Sequence, residues 1–452
     1  MTALSIFSLF VICLLSLFLY QIHYTLFKLI PFSLVAAVGI LLLNDVEILQ
    51  VEELTKGWSD LPGLMINVVF ATLFLGKKLI SPKLIWQFAG PQIVFGQTLA
   101  WGQYVFGIAL TGLVLVPVYN MSPLAGALIE ISFEGGHGTA AGLGSLFEEL
   151  GFSEGVDLAL GLSTVGMVVG LLSGIVMTGI FRLRHGISAK PLAPATDTSL
   201  QRLFGKFIWQ THTRIFALQK LAGTALQMIL VVLAIMLGYG LKALLISIEN
   251  FVHLIVEVPD IAQHIPIFPL AMIGGIMLQA TLNAAGLSRY VRSDTMEFIG
   301  TISLEIVIVS AIATMSLTSI EHNIEPFLLL AVVGTVWNLA AFLLLAPRFM
   351  SEYWFERGIG DYGQSMGMTA TGLLLMRSAD PSNRSQAFER FGYKQLLFEP
   401  IVGGGLFTAA SMILIMNYGL GAIFMLTLAL TLFWIILGFV CFGSSNITGK
   451  SK

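Results

Sequence analysis

Charged residues are scarce in this chain of 452 residues: they make up 11% of it, whereas hydrophobic residues make up 56%. A soluble domain carries about a quarter charged residues. The mean hydropathy of +0.88 is likewise far above the values of soluble domains. Together these values exclude an ordinary cytosolic enzyme, a nucleic-acid-binding protein and a disordered chain. The 46 glycines are typical of closely packed membrane helices, where small side chains let backbones approach.

Cysteine and the common catalytic motifs are also nearly absent. The chain has two cysteines, Cys13 and Cys441, both within apolar runs, which excludes a disulfide scaffold or a cysteine-based metal site. It has no GxxxxGK[ST] motif, so we do not expect ATP to drive it. It has neither HExxH nor a DxxxD cluster, which disfavours an intramembrane enzyme. We therefore expect neither catalysis nor an organic cofactor.

Apolar runs of membrane-spanning length fill most of the chain. A membrane helix needs about 20 mostly apolar residues. Eleven runs qualify: residues 3–20, 30–46, 61–77, 95–118, 156–181, 222–246, 265–283, 296–316, 325–347, 399–418 and 421–442. No basic residue precedes the first run, so we expect it to be a span rather than a signal peptide. The sequence predicts an all-α polytopic membrane protein.

Basic and acidic residues alternate between successive loops. With the N-terminus outside, every Lys and Arg except Lys56 and Lys242 falls in a loop on the cytoplasmic side. One of these loops contains Arg377, Arg384, Arg390 and Lys394. The outside loops are acidic instead. The pattern predicts an inner-membrane protein with its C-terminus in the cytoplasm.

Two glycine-rich segments, residues 121–147 and 358–377, do not fit as spans. Each is too polar for a helix that faces lipid, and each has to enter and leave on one side for the charge pattern to hold. Irregular backbone at membrane depth is tolerated where protein or a water-filled cavity covers it. We therefore interpret both segments as re-entrant loops.

The two loops resemble each other and divide the chain into repeats. Residues 138–143 (GTAAGL) align with residues 368–373 (MTATGL). Each loop is preceded by four predicted spans and followed by one, and because five is odd the repeats have to be inverted. The predicted organisation is residues 1–181 as the first repeat, 182–221 as a cytoplasmic linker, 222–420 as the second repeat, and 421–452 as an extra helix and tail.

Inverted repeats with paired discontinuous segments are typical of secondary transporters whose binding site lies between the segments. Paired occluding loops also favour alternating access over an open channel. This interpretation predicts a membrane carrier driven by an ion gradient.

Three stretches carry a resemblance to a known family. Residues 135–139 (GGHGT), 293–317 (SDTMEFIGTISLEIVIVSAIATMSL) and 354–381 (WFERGIGDYGQSMGMTATGLLLMRSADP) resemble the glutamate:sodium symporter (ESS) family. The resemblance implies a Na⁺-coupled carrier of L-glutamate built from two inverted five-span repeats. It also implies a lipid-embedded homodimer, in which a dimerising scaffold supports a transport domain that moves as an elevator.

The sequence departs from the family pattern in places. The second loop reads GDYGQSMG instead of a second GGxG, the linker is long, and an extra C-terminal span follows the repeats. The alternatives are the same fold carrying another amino acid or a small carboxylate, and the same fold coupled to protons in place of Na⁺.

The substrate-binding candidates lie at the two loop tips. Glycines there let backbone N–H groups approach a carboxylate, and a helix N-terminus adds its dipole. The candidates are Gly135, Gly136, His137, Gly138, Thr139, Gly363, Ser365, Gly367, Thr369, Thr371 and Arg377. His137 fits either a structural hydrogen bond or a proton-linked switch. Arg377 fits either a two-pronged carboxylate clamp or a cytoplasmic anchor.

The Na⁺ candidates are carboxylates at membrane depth, where they are costly and by default functional. Glu305 and Asp361 are the main candidates, with oxygens of Asn67 and Asn338 as further ligands. Glu130 and Glu134 belong to the first loop as well. Glu134 fits equally well as a cap that accepts backbone N–H bonds.

Overall fold

The computed structural model describes residues 32–45, 57–184, 214–256, 259–381 and 383–443. The first predicted span (3–20), most of the predicted linker (182–221) and the end of the C-terminal tail lie outside the described residues.

Helices are the only regular elements within those ranges, which confirms an all-α fold. They are α1 Phe32–Asp45, α2 Leu61–Thr72, α3 Pro82–Tyr119, α4 Leu128–Phe133, α5 Gly136–Gly142, α6 Gly144–Glu149, α7 Glu154–Arg184, α8 Arg214–His253, α9 Ile267–Ala284, α10 Ser293–Ala313, α11 Leu317–His322, α12 Ile324–Phe349, α13 Trp354–Gln364, α14 Thr369–Ala379, α15 Ala387–Phe398 and α16 Leu406–Phe442. Seven of them (α3, α7, α8, α9, α10, α12 and α16) are long and apolar enough to cross a membrane.

The longest helices carry clear end signals. The Ser81 side chain accepts a hydrogen bond from the Leu84 N–H at 3.4 Å, and Pro82 occupies the first turn of α3. Helix α7 has acidic residues in its first turn and basic residues in its last, which complements the helix dipole at both ends. Local sequence therefore supports the start of α3 and both ends of α7.

Two predicted spans are shorter than expected. Run 30–46 forms the 14-residue α1, and run 61–77 forms the 12-residue α2. Beyond α2 the chain turns at Gly76, where φ is +77°, and the N–H of Gly76 donates to Gln279 Oε1 at 2.7 Å. The left-handed Gly76, whose N–H is bound to another helix, redirects the chain, although the three residues before it are apolar.

The last helix reverses direction inside its own range. Phe407 packs on Trp101 of α3 with ring centroids 4.5 Å apart. Leu420 lies beside Gly112 of α3, and Phe442 returns to contact Gly90 near the start of α3. The reversal occurs at Gly419, whose φ of 77° and ψ of 162° are not helical. Two antiparallel arms therefore meet there, as the separate runs 399–418 and 421–442 predicted.

The first arm of α16 continues the path of α15. Helix α15 follows the first half of α3, from Phe88, which packs on Tyr393, to Gly96, which contacts Phe398. Residues 399–405 then unwind before α16 begins. Pro400 and the glycines at 403–405 explain the unwinding, because proline lacks an N–H and glycine weakens a helix. The prediction that residues 399–405 begin a helix was wrong.

The helices pack in two groups. One contains α1, α2, α8, α9 and α10, in which α2 packs against α8, α9 and α10. The other contains α3, α7 and α12 to α16, with α3 in contact with α12, α15 and α16. The short α5 joins them, because it contacts α2 and α10 on one side and α7 on the other.

Candidate functional site

Three helix interruptions define the candidate site. The first break is residues 134–135 between α4 and α5, the second break is residues 365–368 between α13 and α14, and the third break is residues 399–405 between α15 and α16. Glycine permits the first two turns, because Gly136, the first residue of α5, has a φ of +72°, and Gly367 in the second break has a φ of +149°.

The first and second breaks touch each other. A Cβ atom placed on Gly136 would lie 2.4 Å from the carbonyl oxygen of Gly367. Gly367 also packs against α7, because a Cβ atom on it would lie 2.8 Å from the backbone nitrogen of Met167. The two breaks are therefore packed backbone to backbone, with no room for a side chain between them.

This contact lies beside the middle of three long helices. From α12, Asn338 Nδ2 donates to the Ser365 carbonyl at 2.6 Å, and from α3, Gln103 Nε2 donates to the same oxygen at 2.9 Å. A Cβ atom on Gly166 of α7 would lie 2.7 Å from the Met366 carbonyl oxygen. All three positions are near the centres of their helices, so the breaks lie at half the depth of the bundle.

The third break joins this site through Glu130 of α4. The Glu130 carboxylate is fully buried and accepts hydrogen bonds from the Tyr104 hydroxyl at 2.6 Å and the Thr408 hydroxyl at 2.8 Å. It also accepts the Gly403 N–H at 2.9 Å. The unwound backbone therefore has a buried acceptor, and α4 is fixed to the start of α16.

A buried ion pair connects the second and third breaks. Lys394 Nζ lies 2.8 Å from Asp361 Oδ1, and the two side chains are 1% and 0% exposed. Lys394 also donates to Gln364 Oε1 at 2.9 Å. The rings of Phe391 and Phe398 cover the ammonium at 4.8 and 4.2 Å. Burying the Lys394 ammonium removes it from water, which costs free energy. The Asp361 carboxylate offsets that cost, so the buried lysine depends on this partner.

Several polar groups near the first break are buried without a hydrogen-bond partner. They are both carboxylate oxygens of Glu134, the hydroxyls of Thr139 and Ser365, and Nδ1 of His137. The other ring nitrogen of His137, Nε2, lies 3.0 Å from the Thr164 hydroxyl. Buried polar groups usually have partners, so such a concentration indicates a place where a ligand binds.

The structure brings most of the predicted site residues together. Those at the first and second breaks are Gly135, Gly136, His137, Gly138, Thr139, Gly363, Ser365 and Gly367, with Asp361 and Asn338 in contact with the same region. Thr369 and Thr371 form the first turn of α14, where Thr371 is buried.

The remaining predicted residues lie at the margins. Asn67 and Glu305 lie on α2 and α10, the two helices that contact α5 through Ile66 and Leu304. Arg377 is exposed and lies over the Phe388 ring at 5.8 Å. It is eight residues beyond Thr369, about 12 Å along α14. Its proposed contact with the substrate stays a prediction.

One charged residue of the site was assigned elsewhere from the sequence. The prediction that Lys394 lies in a cytoplasmic loop was wrong, because its side chain is buried against Asp361. The apolar residues Phe391 and Phe398 lie three and four positions from it, so all three share one face of a helix. That spacing, together with the PIVGGG sequence at 400–405, was the available signal for a buried, interrupted span.

Comparisons with known proteins agree with this arrangement. The family model described as sodium/glutamate symporter matches residues 33–378. The chain belongs to the sodium/glutamate symporter family. Proteins named sodium/glutamate symporter from Escherichia coli (strain K12) and Shigella flexneri are each 24% identical over 342 residues, which cover 74% of this chain and 76% of theirs. No solved structure matches the chain.

Family membership confirms the resemblance predicted from the three sequence stretches. It also indicates a transporter rather than an enzyme, in a multi-pass membrane protein. The matched range includes the first and second breaks but ends at residue 378, before Lys394 and the third break.

Proposed function

We propose that the protein is a Na⁺-coupled symporter that carries L-glutamate into the cell. The observation that supports this most is the contact between the first and second breaks, surrounded by buried polar groups without partners. Glutamate brings two carboxylates and an ammonium whose hydration has to be replaced. The start of α14, which has no side-chain cap, offers backbone N–H donors to a substrate carboxylate.

The two broken segments enter from opposite faces in this proposal. Residues 121–147 begin after the outer end of α3, and residues 358–377 begin after the inner end of α12. Each reaches the centre of the bundle and returns to its own side. The packing favours inverted repeats, because the third spans of the two halves (α2 and α10) pack together, and so do the fourth (α3 and α12).

An elevator mechanism fits the two packing groups. The group around α3, α7 and α12 holds all three breaks and would move as the transport domain. The group around α2 and α8 would remain as the scaffold. Helix α8 exposes large apolar side chains such as Leu226, Ile229 and Val232, which suit lipid or the second protomer of a homodimer.

Uptake into liposomes tests the proposed function. Purified protein should accumulate labelled L-glutamate when an inward Na⁺ gradient is imposed. Uptake should stop when choline replaces Na⁺, because the anionic substrate then lacks its coupling cation. Competition by unlabelled amino acids and small carboxylates would rank the substrates.

Two results would contradict the assignment while leaving the fold unchanged. The first is uptake of glutamate under a pH gradient but not under a Na⁺ gradient, which would favour proton coupling. The second is Na⁺-driven uptake of a different amino acid or carboxylate that glutamate does not inhibit.

A further inference from the structure

Four carboxylates and one lysine surround the meeting point of the three breaks. The carboxylates are those of Glu130, Glu134, Asp361 and Glu399, and the lysine is Lys394. All five side chains are at least nine-tenths buried. Buried charges of one sign have to be offset by partners, ions or protons. Lys77 also lies close enough to Glu399 to interact with its charge, so two lysines stand against four carboxylates. The cluster therefore contains more negative than positive groups.

Three of these carboxylates have partners within the protein. Glu130 accepts three hydrogen bonds, from Tyr104, Thr408 and the Gly403 N–H. Asp361 is paired with Lys394, and Glu399 accepts a bond from Gln364 Nε2 at 3.4 Å. Glu134 differs from them, because neither of its oxygens has a hydrogen-bond partner.

Other unsatisfied oxygens face the same place as Glu134. The Ser365 hydroxyl of the second break faces the Glu134 carboxylate without an ordinary hydrogen bond. The Thr139 hydroxyl, also without a partner, lies 2.7 Å from the Cβ position of Gly404. The neighbouring Cβ position of Gly403 is 3.6 Å from Glu134 Cγ and 3.7 Å from Glu399 Oε2. Oxygens from all three breaks therefore converge there.

We propose that Glu134, with the hydroxyls of Ser365 and Thr139 and the carboxylate of Glu399, binds a monovalent cation, the coupling Na⁺. Hard cations take sets of oxygen ligands of this kind. Among the described residues, no three His, Cys, Asp or Glu side chains converge as ligands of one ion, which disfavours a carboxylate-rich divalent site. This inference rests on the proposed function and names its ion site, which differs from the sequence-predicted candidates.

The site explains how ion binding is coupled to the substrate. Each break contributes a ligand: Glu134 from the first, Ser365 from the second, and Glu399 from the third. A bound cation would hold the three interrupted segments together and offset the negative charge that otherwise repels glutamate. Loss of the ion would leave that charge and loosen the contact between the first two breaks.

Thermal unfolding of the purified protein tests this site without requiring transport. NaCl is titrated against choline chloride at constant ionic strength, so that only the cation changes. The midpoint temperature of unfolding of the wild type should rise with the Na⁺ concentration, because an ion that binds only the folded state stabilises that state. The midpoint temperature of Glu134→Gln should not rise with Na⁺. Ser365→Ala should need at least about tenfold more Na⁺ to reach half of its maximal rise in midpoint temperature.

Glu148→Gln is the matched control, because Glu148 is exposed on α6 of the same hairpin. It should respond to Na⁺ as the wild type does. If Glu134→Gln does not fold, Glu134→Asp keeps the charge with a shorter reach and should likewise need about tenfold more Na⁺.

Two results would overturn the inference. One is a Na⁺ response in the folded Glu134 variants equal to that of the wild type. The other is a wild type that is stabilised by lowering the pH and not by Na⁺, which would make Glu134 a proton site. Neither depends on glutamate, so the liposome assay separately decides the proposed function.

Discussion

Gly136→Ala is expected to reduce glutamate uptake by more than about tenfold, a loss equivalent to about 1.4 kcal/mol or more. Its added Cβ would lie 2.4 Å from the Gly367 carbonyl oxygen, a backbone atom that cannot rotate away. The first and second breaks would have to separate, and the substrate groups that they position would separate with them. Uptake into liposomes, normalised to the amount of folded protein, measures the effect.

Gly151→Ala provides the control for backbone strain. Gly151 has a φ of +73°, almost the same as Gly136, but nothing lies within 4 Å of its Cβ position. Both substitutions impose a left-handed conformation on alanine, at a cost of about 1–3 kcal/mol. Only Gly136→Ala also separates the breaks, so Gly151→Ala should retain uptake. Equal losses in both variants would attribute the effect to backbone strain and contradict a role for the contact between the first and second breaks.

Lys394→Met is expected to lower the free energy of unfolding by about 3–5 kcal/mol, because it leaves the Asp361 carboxylate buried without its partner. The Lys394–Asp361 pair is 2.8 Å long and almost completely enclosed, so water cannot replace the ammonium. The double variant Asp361→Asn with Lys394→Met removes both charges and should recover part of this loss. Chemical unfolding in detergent, followed by tryptophan fluorescence, measures all three proteins.

An exposed ion pair supplies the comparison. His264 Nδ1 lies 2.6 Å from Glu149 Oε1, with side chains 28% and 52% exposed. Glu149→Gln should change stability by about 1 kcal/mol or less, because water screens such a pair. If Lys394→Met proves no more destabilising than Glu149→Gln, Lys394 is not the buried structural cation that the fold indicates.

Hydropathy and charge predicted much of the fold because both act over whole segments. The long helices α7, α9, α10 and α12 lie within a few residues of the predicted runs. Residues 135–139 and 363–369 were predicted as loop tips because they lie in segments that are too polar and too rich in glycine for a helix that faces lipid. The structure places both at helix breaks that touch.

The third break could not be found by the same reasoning. Residues 399–405 are apolar enough to read as the start of a span, and hydropathy does not distinguish an unwound segment from a helix. Lys394 was assigned by its charge alone, since the positive-inside rule counts every basic residue as lying outside the membrane core. Only the three-dimensional packing shows that Asp361, far away in the sequence, supplies its partner.

The two broken segments are expected to enter from opposite faces of the membrane and to meet at its centre. This expectation can be tested by labelling single cysteines on the flanks of each segment with a membrane-impermeant maleimide, in a Cys13→Ser, Cys441→Ser background. The four exposed positions are Asn120→Cys, Glu148→Cys, Glu352→Cys and Arg384→Cys. Asn120→Cys and Glu148→Cys should react only from outside the cell, and Glu352→Cys and Arg384→Cys only from the cytoplasm. If the two flanks of one segment react from opposite sides, that segment crosses the membrane and is not re-entrant.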